Sequence, residues 1–153
     1  MGNSNIRMPR QVRFDGRSQV EGLLELEKQG LIKDFKRTTD RFHSAKSKFT
    51  FGLCPFFFDM PEGQINGDFS KYKIKVAYGA NTAPRVFVTS HKLDKDCPHL
   101  YADGRLCLYK PDIFVWTNRH SIAKDIVPLV YAWLYFYEKW VETGKWLGPE
   151  APH

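Results

Sequence analysis

A chain of 153 residues, 42% hydrophobic and 26% charged, suits one compact domain with its own apolar core. Its apolar runs fall short of the roughly 20 residues that span a membrane, and the opening MGNSNIRMPRQVRF lacks the apolar stretch of a secretory signal, so the reading is cytoplasmic. Three cysteines in such a chain argue against a disulfide framework and leave metal binding, a reactive thiol or packing.

The net charge of +6 is uneven. Residues 1–50 carry 11 Lys/Arg against 6 Asp/Glu, and the remainder 12 against 11. We read this excess as a solvated basic face. An acidic partner surface or nucleic acid is the functional alternative, although no nucleic-acid-binding motif supports the second.

Residues 1–16 read as a flexible basic N-terminus and 17–153 as a single domain. Ser18-Gln19-Val20-Glu21 has the pattern of a capping box. It opens a helix predicted over about 18–29, with Gly30 as its stop and Leu31, Ile32 and Phe35 prolonging its helical character. Three strands are predicted next: around Phe49, Phe51 and Leu53; over Tyr72, Ile74, Val76 and Tyr78, which alternate with lysines; and over Arg85–Thr89. Residues 90–117 show no regular period, and a loop of that length is usually functional. Ile122, Ile126, Val130, Trp133, Tyr137 and Val141 then mark a helix of about 20 residues, capped near Thr117–Ser121 and stopped by Gly144. Pro128 should kink it or mark a restart, and the aromatics from Trp133 to Trp140 either pack inward or form an interface. The order gives an α+β fold, an antiparallel meander with helices on one side or end.

The stretch CPHLYADGRLCLY, 97–109, places Cys97, His99 and Cys107 around an Asp-Gly turn. Zinc is disfavoured, because Cys97-x-His99 is too tight for a ligand pair and neither Cys54 nor His91 completes a second one. Cys54, before Pro55 and three phenylalanines, reads as core. Cys107, between Leu106 and Leu108 after the turn, is equally compatible with packing and with a nucleophile held on rigid backbone.

The segment from Pro84 to Ile126 resembles a ubiquitin-conjugating enzyme. That family ends its sheet with a Pro-x-Val-x-Phe-like strand, here Pro84-Arg85-Val86-Phe87-Val88-Thr89. A His-Pro-Asn tripeptide, a glycine turn and the catalytic cysteine follow. Cys97-Pro98-His99, Asp103-Gly104 and Cys107-Leu108 occupy those places without a gap, with Trp116 and Ser121-Ile122 beyond. The departures are Cys97 for the histidine and His99 for the asparagine, which in the family orders the loop and stabilises an oxyanion. An imidazole can donate such a hydrogen bond or serve as a base.

A narrower set is similar to bacterial conjugating-enzyme homologues of cyclic-oligonucleotide antiphage signalling operons, of the stand-alone (type II short) kind. It comprises His99, Tyr101, Asp103 to Tyr109, Trp116, Pro128, the run Trp133 to Trp140, and Thr143-Gly144-Lys145-Trp146-Leu147-Gly148. The resemblance implies a ubiquitin-conjugating-like fold and a transferase with Cys107 and His99 as catalytic residues. Cys107 would carry the C-terminus of an operon-encoded cGAS-like nucleotidyltransferase as a thioester and pass it to a lysine-bearing acceptor protein. Tyr101, Asp103 and Tyr109 are candidates for the groove that holds the tail. It implies no cofactor, no metal, and no membrane or nucleic acid as partner. The alternative is a non-catalytic adaptor that binds the nucleotidyltransferase.

Overall fold

A computed structural model describes residues 17–40, 43–60, 63–79, 82–110, 114–117 and 119–148; the N-terminus read as flexible lies outside them. Helix α1 spans Arg17–Lys28. It buries Leu23 completely and ends at Gly30, whose φ of 78° is the left-handed turn that glycine takes most readily. The expected capping box falls inside this helix. Its buried Gln19 instead reaches across the chain, with Nε2 donating to the His120 carbonyl and Oε1 accepting from the Ile122 amide.

The expected prolongation of the helix through Phe35 does not occur. Strand β1, Lys33–Asp40, begins there instead. Phe35 turns its ring to Phe49, 6.0 Å away, and a bulge next to Asp34, at φ 55°, sets the strand's entry. Strand β2 is His43–Gly52, β3 Pro55–Met60, β4 Gly63–Asp68, β5 Lys73–Gly79 and β6 Arg85–Val88. The main sheet is antiparallel throughout in the order β1-β2-β5-β6, while β3 and β4 pair only with each other. Phe49, Phe51, Ile74, Val76 and Val86 face the core from this sheet. The period of two sends Lys48, Thr50, Lys73 and Arg85 to the opposite face.

The second helix has two parts. Residues Ile122–Ile126 form a π-helical turn capped by the Ser121 side chain, and α2 runs from Val127 to Thr143. Pro128 marks the restart, because in the first turn its missing N–H leaves no intrahelical bond unmade. Gly144 closes the helix at φ 78°. Helix α2 is the centre of the core. Tyr131 is fully buried, accepts from the Cys54 amide at 2.9 Å and donates to the Leu31 carbonyl at 2.7 Å. Cys54, expected in the core, is therefore tied there by its backbone, while the residue is only half-buried. No helix among the described residues is long and apolar enough to cross a membrane.

Candidate functional site

The irregular segment after β6 is anchored at several points. Leu100 and Leu106 form an isolated antiparallel bridge. The Tyr101 amide donates to the Arg105 carbonyl and the Gly104 amide to the Tyr101 carbonyl, each at 2.9 Å. Gly104 adopts φ 92°, so the Asp-Gly turn closes a small hairpin at a position where a side chain would be strained. The Leu106 amide donates to the Val86 carbonyl at 2.9 Å, which pins this hairpin to the edge of β6. Leu106 points into the core.

The second anchor is His99. It is a non-glycine residue at φ 62°, and its carbonyl accepts two hydrogen bonds, one from the Cys107 amide at 3.0 Å and one from Trp133 Nε1 at 3.0 Å. A left-handed residue aims its carbonyl differently from an extended one, and here that carbonyl ties the loop both to the cysteine strand and to α2. The imidazole is buried and stacks obliquely on Trp146, with ring centroids 4.9 Å apart. Tyr137, one turn beyond Trp133, holds the same loop earlier, its hydroxyl accepting from the Asp94 amide. Trp133 and Tyr137, one turn apart on α2, therefore face the loop, with Trp133 buried against it.

Cys107 sits between these anchors, 3% exposed. Its Sγ lies 3.6 Å from the Tyr101 hydroxyl and 3.9 Å from the Tyr109 carbonyl. Burial pushes the Cys107 thiol up, while the hydrogen bond from Tyr101 and the nearby charge of Arg105 pull it down. The Arg105 guanidinium lies 4.1 Å from the Tyr101 ring centroid, a cation–π contact. Asp103 accepts from the Arg105 amide at 3.0 Å and faces Arg105 Nε at 3.7 Å. Tyr101 is thus held from behind, with its hydroxyl turned to the sulfur.

Of the residues read from the sequence, Tyr101, Tyr109 and Cys107 come together directly. Tyr109 does so through its carbonyl, while its ring packs against Phe114 at 4.7 Å. Asp103 stands one step away, acting on Arg105. Arg105, inside the Asp103 to Tyr109 stretch, and Trp133, in an aromatic run read as packing inward or forming an interface, were given no role at the site. Trp116 packs edge-on to Tyr78 at 6.3 Å.

The other thiols behave differently. Cys97 is buried, its Sγ 3.1 Å from the Pro98 carbonyl, and burial and then Asp94 push its thiol up to about 12. Burial also raises Cys54. Among the described residues no three His, Cys, Asp or Glu side chains converge as a metal-binding group. The site's chemistry is that of one thiol on a rigid turn, with a phenol hydroxyl beside it.

Residues 60–153 match the model of the E2-CBASS family, described as Type II CBASS E2 protein. No curated protein matches the chain.

Proposed function

The chain belongs to the Type II CBASS E2 family, and from that premise and the geometry at Cys107 we propose that it is a cysteine-dependent acyl-transfer enzyme of bacterial antiphage defence. The observation that carries this reading is Cys107 Sγ beside the Tyr101 hydroxyl, on a hairpin fixed by the His99 carbonyl and the edge of β6. A nucleophile needs a defined position more than it needs strong acidity, and the loop supplies that position.

The proposed reaction has two stages. The Cys107 thiolate attacks the activated C-terminal carbonyl of a protein partner, expels the activating group and forms a thioester. An amine of an acceptor protein then adds to that carbonyl. The tetrahedral intermediate collapses to an amide and releases the thiolate, and the amine's extra proton passes to a base. His99 is the proposed base or oxyanion donor, in addition to the ordering done by its carbonyl. Tyr101 donates to the sulfur as its negative charge develops, a contribution of about 1 kcal/mol for a partly exposed donor. The tail would lie extended along the Tyr101–Tyr109 side of the hairpin, with Asp103 setting Arg105. The partner proposed is the operon's nucleotidyltransferase and the acceptor a lysine, in the bacterial cytoplasm.

The near-complete burial of Cys107 favours a second reading, an adaptor that binds the same partner without chemistry. One experiment separates the two. Intact mass is measured under denaturing, non-reducing conditions on wild type and Cys107→Ala, each purified with the operon's nucleotidyltransferase. A reductant-labile adduct of partner mass on wild type alone supports acyl transfer. A stoichiometric native complex with no such adduct supports the adaptor.

A further inference from the structure

The main sheet turns one face to the core and one outward, and the outward face carries a charge pattern hidden in the linear sequence. Its cations are Lys36 on β1, Lys46 and Lys48 on β2, Lys73 and Lys75 on β5, and Arg85 on β6. The register sets them side by side. Thr38, Lys48, Ala77 and Arg85 form one row across all four strands, and Lys36, Thr50, Lys75 and Phe87 form the next. None of the described outward positions in these rows is acidic, and none of the six cations forms an ion pair among the described residues. Like charges this close repel one another through a Debye length of about 8–10 Å, so a face built this way is held at a cost unless something anionic covers it.

The face is also concave. A groove of about 650 Å³ runs over the small residues Ala77 and Gly79, walled by Lys46, Lys48, Arg85 and Arg105. Small residues on the floor let a polypeptide backbone approach, and cations on the rim meet its side chains. Stacking platforms for bases are missing from this pattern: Phe87 is the aromatic in the rows above, and the Lys75 ammonium already lies 4.7 Å from its ring centroid. The groove is continuous with the candidate site through Arg105, which lines its wall and stacks on Tyr101, the residue that touches Cys107 Sγ.

We propose that the outward face of the β1-β2-β5-β6 sheet docks an acidic polypeptide segment of the protein whose C-terminus Cys107 accepts. This rests on the acyl-transfer reading for the partner's identity, and on the charge and shape of the face for its chemistry. The basic residues of this face form a binding surface, in place of the solvated one expected from composition. It would raise the encounter rate and orient the partner before its tail reaches the thiol.

The test uses binding without chemistry. Affinity for the operon's nucleotidyltransferase is measured by titration calorimetry with Cys107→Ala protein, at low and at physiological salt. The same background then carries Lys48→Glu with Arg85→Glu, or the neutral pair Lys48→Gln with Arg85→Gln. Both positions are exposed, and circular dichroism checks that each variant folds. The expected result is a loss of roughly tenfold for the Glu pair, a smaller loss for the Gln pair, and tighter binding at low salt. Equal affinity in all three proteins overturns the proposal. So does tighter binding of an oligothymidylate than of the nucleotidyltransferase with the same charge sensitivity, which would make the face a nucleic-acid surface. Charge-sensitive binding, together with no reductant-labile adduct on wild-type Cys107 in the mass experiment, would leave the acidic-protein surface standing and remove the acyl-transfer reading alone.

Discussion

Replacing Tyr101 by Phe removes one hydroxyl and keeps the aromatic ring. The sulfur lies 3.6 Å from that hydroxyl and is 3% exposed, so the lost donor is not replaced freely by water. A hydrogen bond to a charged acceptor contributes about 1.5–3 kcal/mol; Tyr101 is itself half-exposed, which brings the expected figure to about 1 kcal/mol. The thiolate is the form stabilised, so Tyr101→Phe raises the Cys107 thiol further above its ordinary value. At fixed neutral pH the thiolate fraction, and with it the alkylation rate, should fall about fivefold. The whole pH–rate profile should move to higher pH. The assay is iodoacetamide labelling followed by peptide mass spectrometry. Trypsin cuts after Arg105, which separates Cys97 from Cys107 and lets each thiol be followed alone. Tyr101→Ala makes the contrast, since it also uncovers the sulfur and should speed its reaction with bulkier reagents. An unchanged or faster rate in Tyr101→Phe would refute the assignment of Tyr101 as the donor at sulfur.

His99→Gly keeps the left-handed backbone and both hydrogen bonds to the carbonyl while deleting the imidazole. Thioester formation on Cys107 should survive and aminolysis should slow by on the order of 100-fold; single-turnover assays that find equal aminolysis reduce His99 to a loop-ordering residue. Trp133→Phe deletes the indole donor to the His99 carbonyl and leaves a small void, for a stability loss of about 2–4 kcal/mol by urea denaturation. Hydrogen exchange should show the Cys107 amide less protected, and unaltered protection would mean that α2 does not hold the loop. Tyr131→Phe leaves the part-buried Cys54 amide and Leu31 carbonyl without their shared partner, so the urea midpoint should drop by the equivalent of about 1–3 kcal/mol; no measurable loss would mean that both groups find other partners.

The elements legible in the sequence were those with a strong apolar period. Ile74, Val76 and Tyr78 alternate cleanly with lysines, and their strand is found where it was expected. Strand β1, KDFKRTTD, has a single apolar residue, so nothing local distinguishes it from a loop. It is a strand because it sits at the edge of the sheet and pairs with β2. The hairpin of β3 and β4 was missed for a similar reason: PFFFDM reads as an apolar cluster and GQINGD as a turn. Pro128 was a correct signal with two meanings, and the π-helical turn before it decided for the restart.

The candidate site was legible for a different reason. Cys97, His99, Gly104 and Cys107 lie within one short stretch, so their spacing is nearly their geometry: the Leu100–Leu106 bridge follows from the position of the glycine turn. The outward charge of the sheet has the opposite character. Lys48 and Arg85 are 37 positions apart in the chain and share a row only because β5 lies between their strands in one particular register. Counting charge along the chain placed the excess in residues 1–50 and found the rest nearly neutral, although Lys73, Lys75 and Arg85 belong to the same surface. Arg105 joins the two kinds of feature. Its place is fixed locally by the turn and by Asp103, yet its guanidinium spans the groove wall and the Tyr101 ring. An anion that enters the groove therefore competes with Tyr101 for the same cation.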